Sequence, residues 1–128
     1  MKVTGVGWVG VKTGRYEEMV SFFTDVLGLP ATGQEAETTV LRLPTGGALE
    51  IFGPGAPHPK DQFGANEVVI GLFVDNIEEA SAELAAAGVE LVGPLEYGEG
   101  GYAWQHFRSP DGKAFELSYD PARGGPTV

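Results

Sequence analysis

The sequence predicts an α+β fold made of two β-α-β-β-β modules, and three observations support that prediction. Two nine-residue segments, far apart in the chain, share four residues at the same offsets. Each segment follows a strand-like run and an amphipathic helix in the same order. A stretch rich in glycine and proline separates the two copies. At 128 residues the chain can bury the apolar core of one such domain.

The repeated segments read PTGGALEIF at 44–52 and PDGKAFELS at 110–118. Proline presets φ for a tight turn, and glycine accepts the positive φ that such a turn needs. Apolar residues then alternate with others, which is typical of a strand. Each copy therefore predicts a turn that leads into a strand.

The first module begins with a β-rich run at 7–12 and a helical pattern at 15–27, which Gly28 and Pro30 end. In the second module a strand is predicted at 67–74. Asp75 and Asn76 can cap the helix that follows, which runs to Gly88. Further strands are predicted at 38–43, 48–52, 90–95, 102–108 and 114–119, with a weaker one at 29–34.

The domain prediction is one domain over 1–128. Module one covers about 1–53 and module two about 67–121. The segment 53–66 joins them, because its glycines and prolines cannot sustain a helix or a sheet. His58, which lies between two prolines there, is expected to be a solvated loop residue.

Charge and composition restrict the function. Eighteen acidic and eight basic residues give a net charge of −10, which repels nucleic acid and anionic membranes and attracts cationic ligands. The absence of cysteine excludes disulfides and thiolate chemistry. No apolar run approaches the roughly 20 residues of a membrane span, and no signal peptide is visible, so a cytoplasmic protein is expected.

Two motifs carry a family resemblance. Residues 16–30, YEEMVSFFTDVLGLP, resemble the opening of the vicinal-oxygen-chelate proteins, the glyoxalase, bleomycin-resistance and extradiol dioxygenase superfamily. Residues 109–117, SPDGKAFEL, resemble their closing signature. The resemblance implies a mixed sheet that curls into a half-barrel cleft around one small-molecule pocket, and it implies a homodimer.

The resemblance also implies four metal positions that face the cleft. Two of them are glutamates on the last strand of each module, Glu50 and Glu116. The other two fall on the first strands, where this chain has Trp8 and Val69. An indole N–H only donates, and valine has no side-chain heteroatom, so neither can bind a metal. No metal or other cofactor is therefore expected.

One strand offers a replacement ligand. Alternation along 102–108 puts Tyr102, Trp104 and His106 on one face. If that face lines the cleft, His106 could join Glu50 and Glu116 at a metal or act as a general base. The alternative is a histidine that is simply satisfied by a hydrogen bond.

The carboxylates and indoles have further interpretations. Without a cation, convergent carboxylates at Glu50 and Glu116 would favour a cationic or donor-rich ligand, although either could instead face water. Trp8 and Trp104, the only two tryptophans, would offer stacking and cation–π contacts, or would be ordinary core aromatics.

The predicted function is the binding of a planar or cationic antibiotic-like molecule without a metal, as in the drug-sequestering members. The alternatives are an enzyme of the superfamily (lyase, isomerase, dioxygenase or thiol transferase) that uses Glu50, His106 and Glu116, and a regulatory module. The predicted ligand-binding residues are Trp8, Glu50, Val69, Tyr102, Trp104, His106 and Glu116.

Overall fold

The computed structural model of the chain describes residues 1–57 and 63–123. In these residues the order β-α-β-β-β occurs twice, with mixed strand pairing, which confirms the predicted α+β class and the repeat. The elements are β1 Val3–Lys12, α1 Tyr16–Ser21, β2 Ala31–Glu35, β3 Thr38–Arg42, β4 Ala48–Phe52, β5 Val68–Val74, α2 Ile77–Ala86, β6 Leu91–Tyr97, β7 Ala103–Arg108 and β8 Ala114–Tyr119.

One compact unit comprises Trp8–Val69, with strand order β2-β3-β4-β1. β4 pairs parallel with β1 and antiparallel with β3. The Tyr16 hydroxyl of α1 is hydrogen-bonded to the hydroxyl of Thr39, which is paired with Ile51. Helix α1 therefore lies on the Ile51 side of β4, and Glu50 projects from the other face because side chains alternate along a strand.

The second unit comprises Met1–Gly7 and the chain from Ile70 onward, with strand order β5-β8-β7-β6. β8 pairs parallel with β5 and antiparallel with β7. Helix α2 covers one face through an apolar cluster and a hydrogen bond from Ser81 to Gln105. The buried members of that cluster are Val74, Ile77, Ala80, Ala103 and Leu117.

Helix α2 begins as the sequence predicts. The Asn76 side chain accepts a hydrogen bond from the Glu79 backbone N–H at 3.0 Å, which satisfies one of the free donors of the first turn. At the other end Gly88 has a φ of +80°, a left-handed conformation that favours glycine. The cap and the glycine explain why the helix occupies this stretch.

The turn before β8 is held by its own side chains. Asp111 accepts hydrogen bonds from the Lys113 ammonium at 2.5 Å and from the Ser109 hydroxyl at 2.6 Å. These two bonds lower the pKa of Asp111 to about 2. Gly112 supplies the positive φ of +88° that the turn needs. The turn thereby fixes where β8 begins and which face Glu116 occupies.

Several element boundaries differ from the prediction, and those of β1, α1 and β2 matter most here. β1 starts at Val3 rather than residue 7. The helix predicted over 15–27 is α-helical only in Tyr16–Ser21, and Phe22–Val26 continues it as a π-helical turn in which the Leu27 N–H bonds to the Phe22 carbonyl at 3.1 Å. The weak strand predicted over 29–34 is β2, Ala31–Glu35, and all five of its residues are exposed.

Two further expectations concern His58 and the location of the protein in the cell. His58 falls outside the described residues. Among the helices within them, none has the length and apolar character needed to cross a membrane. The cytoplasmic location stays a prediction.

Candidate functional site

Trp8 lies on the face of β1 that also carries Gly10 and Lys12, opposite α1. Its indole crosses Gly10 so closely that a Cβ on Gly10 would lie 2.2 Å from the ring carbon Cη2. The glycine is therefore required for the tryptophan to lie flat along the strand. In this position the indole Nε1–H donates a 2.9 Å hydrogen bond to Glu50 Oε1.

Aromatic rings enclose the same indole. Phe52 lies 6.4 Å away between ring centroids, and Phe63 lies 6.1 Å away in an edge-on arrangement. Trp8 is only 8% exposed, and Phe63 is fully buried. Trp8 thus has the surroundings of a core aromatic, which is the alternative that the sequence left open. Its stacking on a ligand stays a prediction.

The second unit carries its polar residues on the sheet face opposite α2. His106 of β7 is paired with Glu116 of β8, and Trp104 is paired with Ser118. On β5 the residue beside Glu116 is Gly71, which has no side chain to cover it. The pairing therefore brings His106, Glu116 and Ser118 together.

These three side chains form a buried polar chain. The Ser118 hydroxyl donates to Glu116 Oε1 at 2.6 Å, and His106 Nε2 lies 3.2 Å from Glu116 Oε2. The side chains of His106 and Glu116 are 4% and 5% exposed. One carboxylate oxygen of Glu116 therefore accepts a hydrogen bond, and the other lies beside the imidazole nitrogen. An arrangement of this kind can hold or pass a proton.

Trp104 has a more open environment. Its indole N–H donates to Glu96 Oε2 at 2.9 Å, and the Tyr102 ring lies 6.0 Å away at an angle of 46°. A Cβ on Gly98 would lie 3.0 Å from the indole, so glycine fits beside it. Trp104, Tyr102 and Glu96 are all half-buried. They combine an aromatic surface with a carboxylate that solvent can reach.

The donor set does not suit the metal that the resemblance implies. Val69 is fully buried and shares its face of β5 with Gly71, but it offers no lone pair. The Trp8 N–H points its hydrogen at Glu50, where a metal ion would need an electron pair. Within residues 1–57 and 63–123, no three His, Asp or Glu side chains are grouped to hold a metal ion.

Sequence reasoning missed Ser118, Glu96 and Phe63. Ser118 had a usable signal, because it lies two positions after Glu116 and must share its face. Glu96 had none, since the register of β6 against β7 shifts between Val92 and Glu96. Phe63 is a single aromatic residue in a segment that was assigned to the linker.

Residues 5–117 match the family model of the Glyoxalase/Bleomycin resistance protein/Dioxygenase superfamily. No curated protein sequence gives a significant match.

Solved structures give the same picture of the fold. A glyoxalase/bleomycin resistance protein/dioxygenase superfamily member from Vibrio splendidus 12B01 has a TM-score of 0.64 and 21% identity, and the match covers 93% of this chain and 100% of that one. A variant methylmalonyl-CoA epimerase from Streptomyces coelicolor, in complex with 2-nitronate-propionyl-CoA, has a TM-score of 0.73 and 18% identity, covering 98% and 100%. At such identities the likeness concerns the fold alone.

Proposed function

This chain belongs to the glyoxalase/bleomycin resistance protein/dioxygenase superfamily, and we propose that it binds a planar or cationic small molecule without a metal ion. By this proposal it sequesters an antibiotic-like compound, as the drug-binding members of the superfamily do. The homodimer that the resemblance implies remains part of the proposal.

The main support for the proposal is that both glutamates, Glu50 and Glu116, already accept a hydrogen bond from the chain. Glu50 Oε1 accepts the Trp8 indole N–H at 2.9 Å, and Glu116 Oε1 accepts the Ser118 hydroxyl at 2.6 Å. Each carboxylate is thus engaged by a donor of the chain itself. A metal ion would have to displace those donors and would find neither imidazole nor carboxamide at Trp8 or Val69. Binding without a metal leaves both hydrogen bonds, Trp8 to Glu50 and Ser118 to Glu116, in place.

The accessible surface for a ligand is the group Tyr102, Trp104 and Glu96. An indole face attracts flat and cationic groups, and the attraction is about 0.5–1 kcal/mol at exposed sites and about 2 kcal/mol or more when desolvated. The Glu96 carboxylate, which already orients the indole, adds a negative charge beside it. The net charge of −10 strengthens the preference for a cation.

Isothermal titration calorimetry with a panel of planar cationic antibiotics tests this proposal. Replacing Trp104 with alanine should weaken the binding of a panel member about ten- to hundredfold, since a well-placed aromatic contact contributes about 1–3 kcal/mol. Glu96→Gln should weaken a cationic ligand more than its neutral analogue.

Tyr97→Ala is the matched control for that experiment. Tyr97 is an aromatic residue of the same unit, but it is 60% exposed and bonds to Glu78 of α2. Its removal should leave affinity unchanged. Two results would contradict the proposal. One is that no compound of the panel binds. The other is that a compound binds the wild type and Trp104→Ala equally tightly.

A second candidate function rests on the buried polar chain. Ser118, Glu116 and His106 could move a proton, and structural neighbours include methylmalonyl-CoA epimerase in complex with methylmalonyl-CoA. In that case the chain would be an isomerase-like enzyme in which Glu116 acts as the base. Turnover of methylmalonyl-CoA by the wild type, lost in Glu116→Gln, would favour this function over sequestration.

A further inference from the structure

The unit Trp8–Val69 contains an open cleft of about 760 Å³, at the end of β1 and β4. Its size is within the range of small-molecule sites. It involves none of the residues assigned to the ligand in the proposed function. The cleft is lined by Lys12, Thr13, Gly14, Arg15, Phe52, Gly53, Pro54, Ala56, Gly64, Ala65 and Glu67.

Two cationic side chains line this cleft in a chain that is otherwise strongly acidic. The Lys12 ammonium donates to the Gly64 carbonyl at 3.1 Å and lies 5.9 Å from the centroid of the Phe63 ring. An ammonium has three N–H donors, so the Gly64 bond leaves capacity for a ligand. The ring and the carbonyl hold the ammonium at the wall of the cleft.

Arg15 is the second cation. Its guanidinium bonds through Nε and a terminal nitrogen to Glu18, one turn along α1. The hydrogen bond to Glu18 and the charge of its carboxylate raise the pKa of Arg15 further. A guanidinium has five N–H donors, of which the carboxylate takes two. The remaining donors can bind an anion at the cleft.

Part of the lining is apolar, and Phe52 in this part is the cross-strand neighbour of Lys12. The apolar residues of this part are Phe52, Pro54 and Ala56. Glu37 accepts the Gly53 N–H on its backbone oxygen at 2.8 Å and the Gly55 N–H on its side chain at 3.2 Å. Glu37 itself has a φ of +57°, which is unfavourable for a residue other than glycine. These two bonds connect Gly53 and Gly55 to the turn between β2 and β3.

We propose that this cleft binds an amphipathic organic anion, a carboxylate or a phosphate monoester. The anionic group lies between Lys12 and Arg15, and the apolar part lies against Phe52 and Pro54. Glu67, which is exposed, is the one acidic residue that lines the cleft directly. The remaining N–H donors of Lys12 and Arg15 favour an anion over a neutral molecule of the same shape. The proposal goes beyond the function above and does not depend on it.

The test uses four probes at low salt, where charge interactions are least screened. Two are organic anions, phenyl phosphate and phenylacetate. The other two are benzyl alcohol, which has no charge, and inorganic phosphate, which has no apolar part. Backbone amide shifts of Gly14, Gly53 and Gly64 are followed by NMR as each probe is added. At least one of the two organic anions should give saturable shifts. Benzyl alcohol and inorganic phosphate should each bind at least about fivefold more weakly, because each lacks one half of the contact.

Lys12→Met and Arg15→Gln should each weaken the organic anion at least about fivefold, the effect of one charge-assisted hydrogen bond. Lys113→Met, which removes a lysine from the Asp111 turn, is the control and should leave affinity unchanged. Amide spectra verify that each variant is folded. The proposal is overturned if neither organic anion gives saturable shifts, if benzyl alcohol or inorganic phosphate binds as tightly, or if folded Lys12→Met and Arg15→Gln bind like wild type.

Discussion

Replacing Trp8 with alanine is expected to lower the free energy of unfolding by about 3–5 kcal/mol, the range for truncating a buried large aromatic side chain. The change removes the contacts with Phe52 and Phe63 and leaves Glu50 without its indole donor. Gly10, over which the ring lies, cannot fill the space. Urea denaturation followed by circular dichroism measures the loss.

Two variants separate the sources of that loss. Trp8→Phe keeps a ring but removes the N–H, and it should lose less stability than Trp8→Ala. Phe22→Ala removes an aromatic side chain of the same unit that is 47% exposed, so it should cost much less. If Trp8→Ala were no more destabilising than Phe22→Ala, the enclosure of Trp8 by Phe52 and Phe63 would be wrong.

Replacing Glu116 with alanine is the second large expected effect. The substitution leaves His106 and Ser118 buried without the carboxylate that joins them. A buried polar group that loses its partner typically costs about 1–3 kcal/mol, and two such groups lose the carboxylate here, so a loss of at least about 2 kcal/mol is expected in the same denaturation experiment. Glu116→Gln, which keeps an acceptor oxygen, should lose less.

Glu90→Ala is the matched control for this loss. Glu90 lies 3.5 Å from the Arg108 guanidinium, but its side chain is 70% exposed. Surface ion pairs contribute about 0–1 kcal/mol, so this change should be nearly neutral. A loss in Glu116→Ala as small as in Glu90→Ala would mean that the buried chain is not formed.

The sequence was sufficient for the features that depend on alternation and on turn chemistry. Glu50 and Glu116 each follow a proline-glycine turn at the same offset, and the apolar residues beside them had to face a helix. This logic placed both glutamates on the faces opposite α1 and α2. The Asn76 cap of α2 was equally local, because it needs only one side chain and one backbone N–H.

What the sequence could not predict depends on distant packing or on weak local signals. β2 exposes all five residues, so hydrophobic periodicity could not identify its bounds. The π-helical turn at Phe22–Val26 uses the same apolar spacing as an α-helix, and its extra residue leaves no mark in the sequence. The burial of Phe63 against Trp8 joins residues 55 positions apart and has no local signal.

The most direct test of the account is calorimetric titration with a planar cationic antibiotic that binds the wild-type protein. The antibiotic is titrated first into protein treated with a chelator. It is then titrated into protein supplied with Ni²⁺, Zn²⁺, Mn²⁺ or Fe²⁺. The account predicts the same affinity in every case, because Glu50 and Glu116 are engaged by Trp8 and by Ser118 with His106. Binding that appears only with a metal, and disappears again in Glu50→Gln or Glu116→Gln, would contradict it.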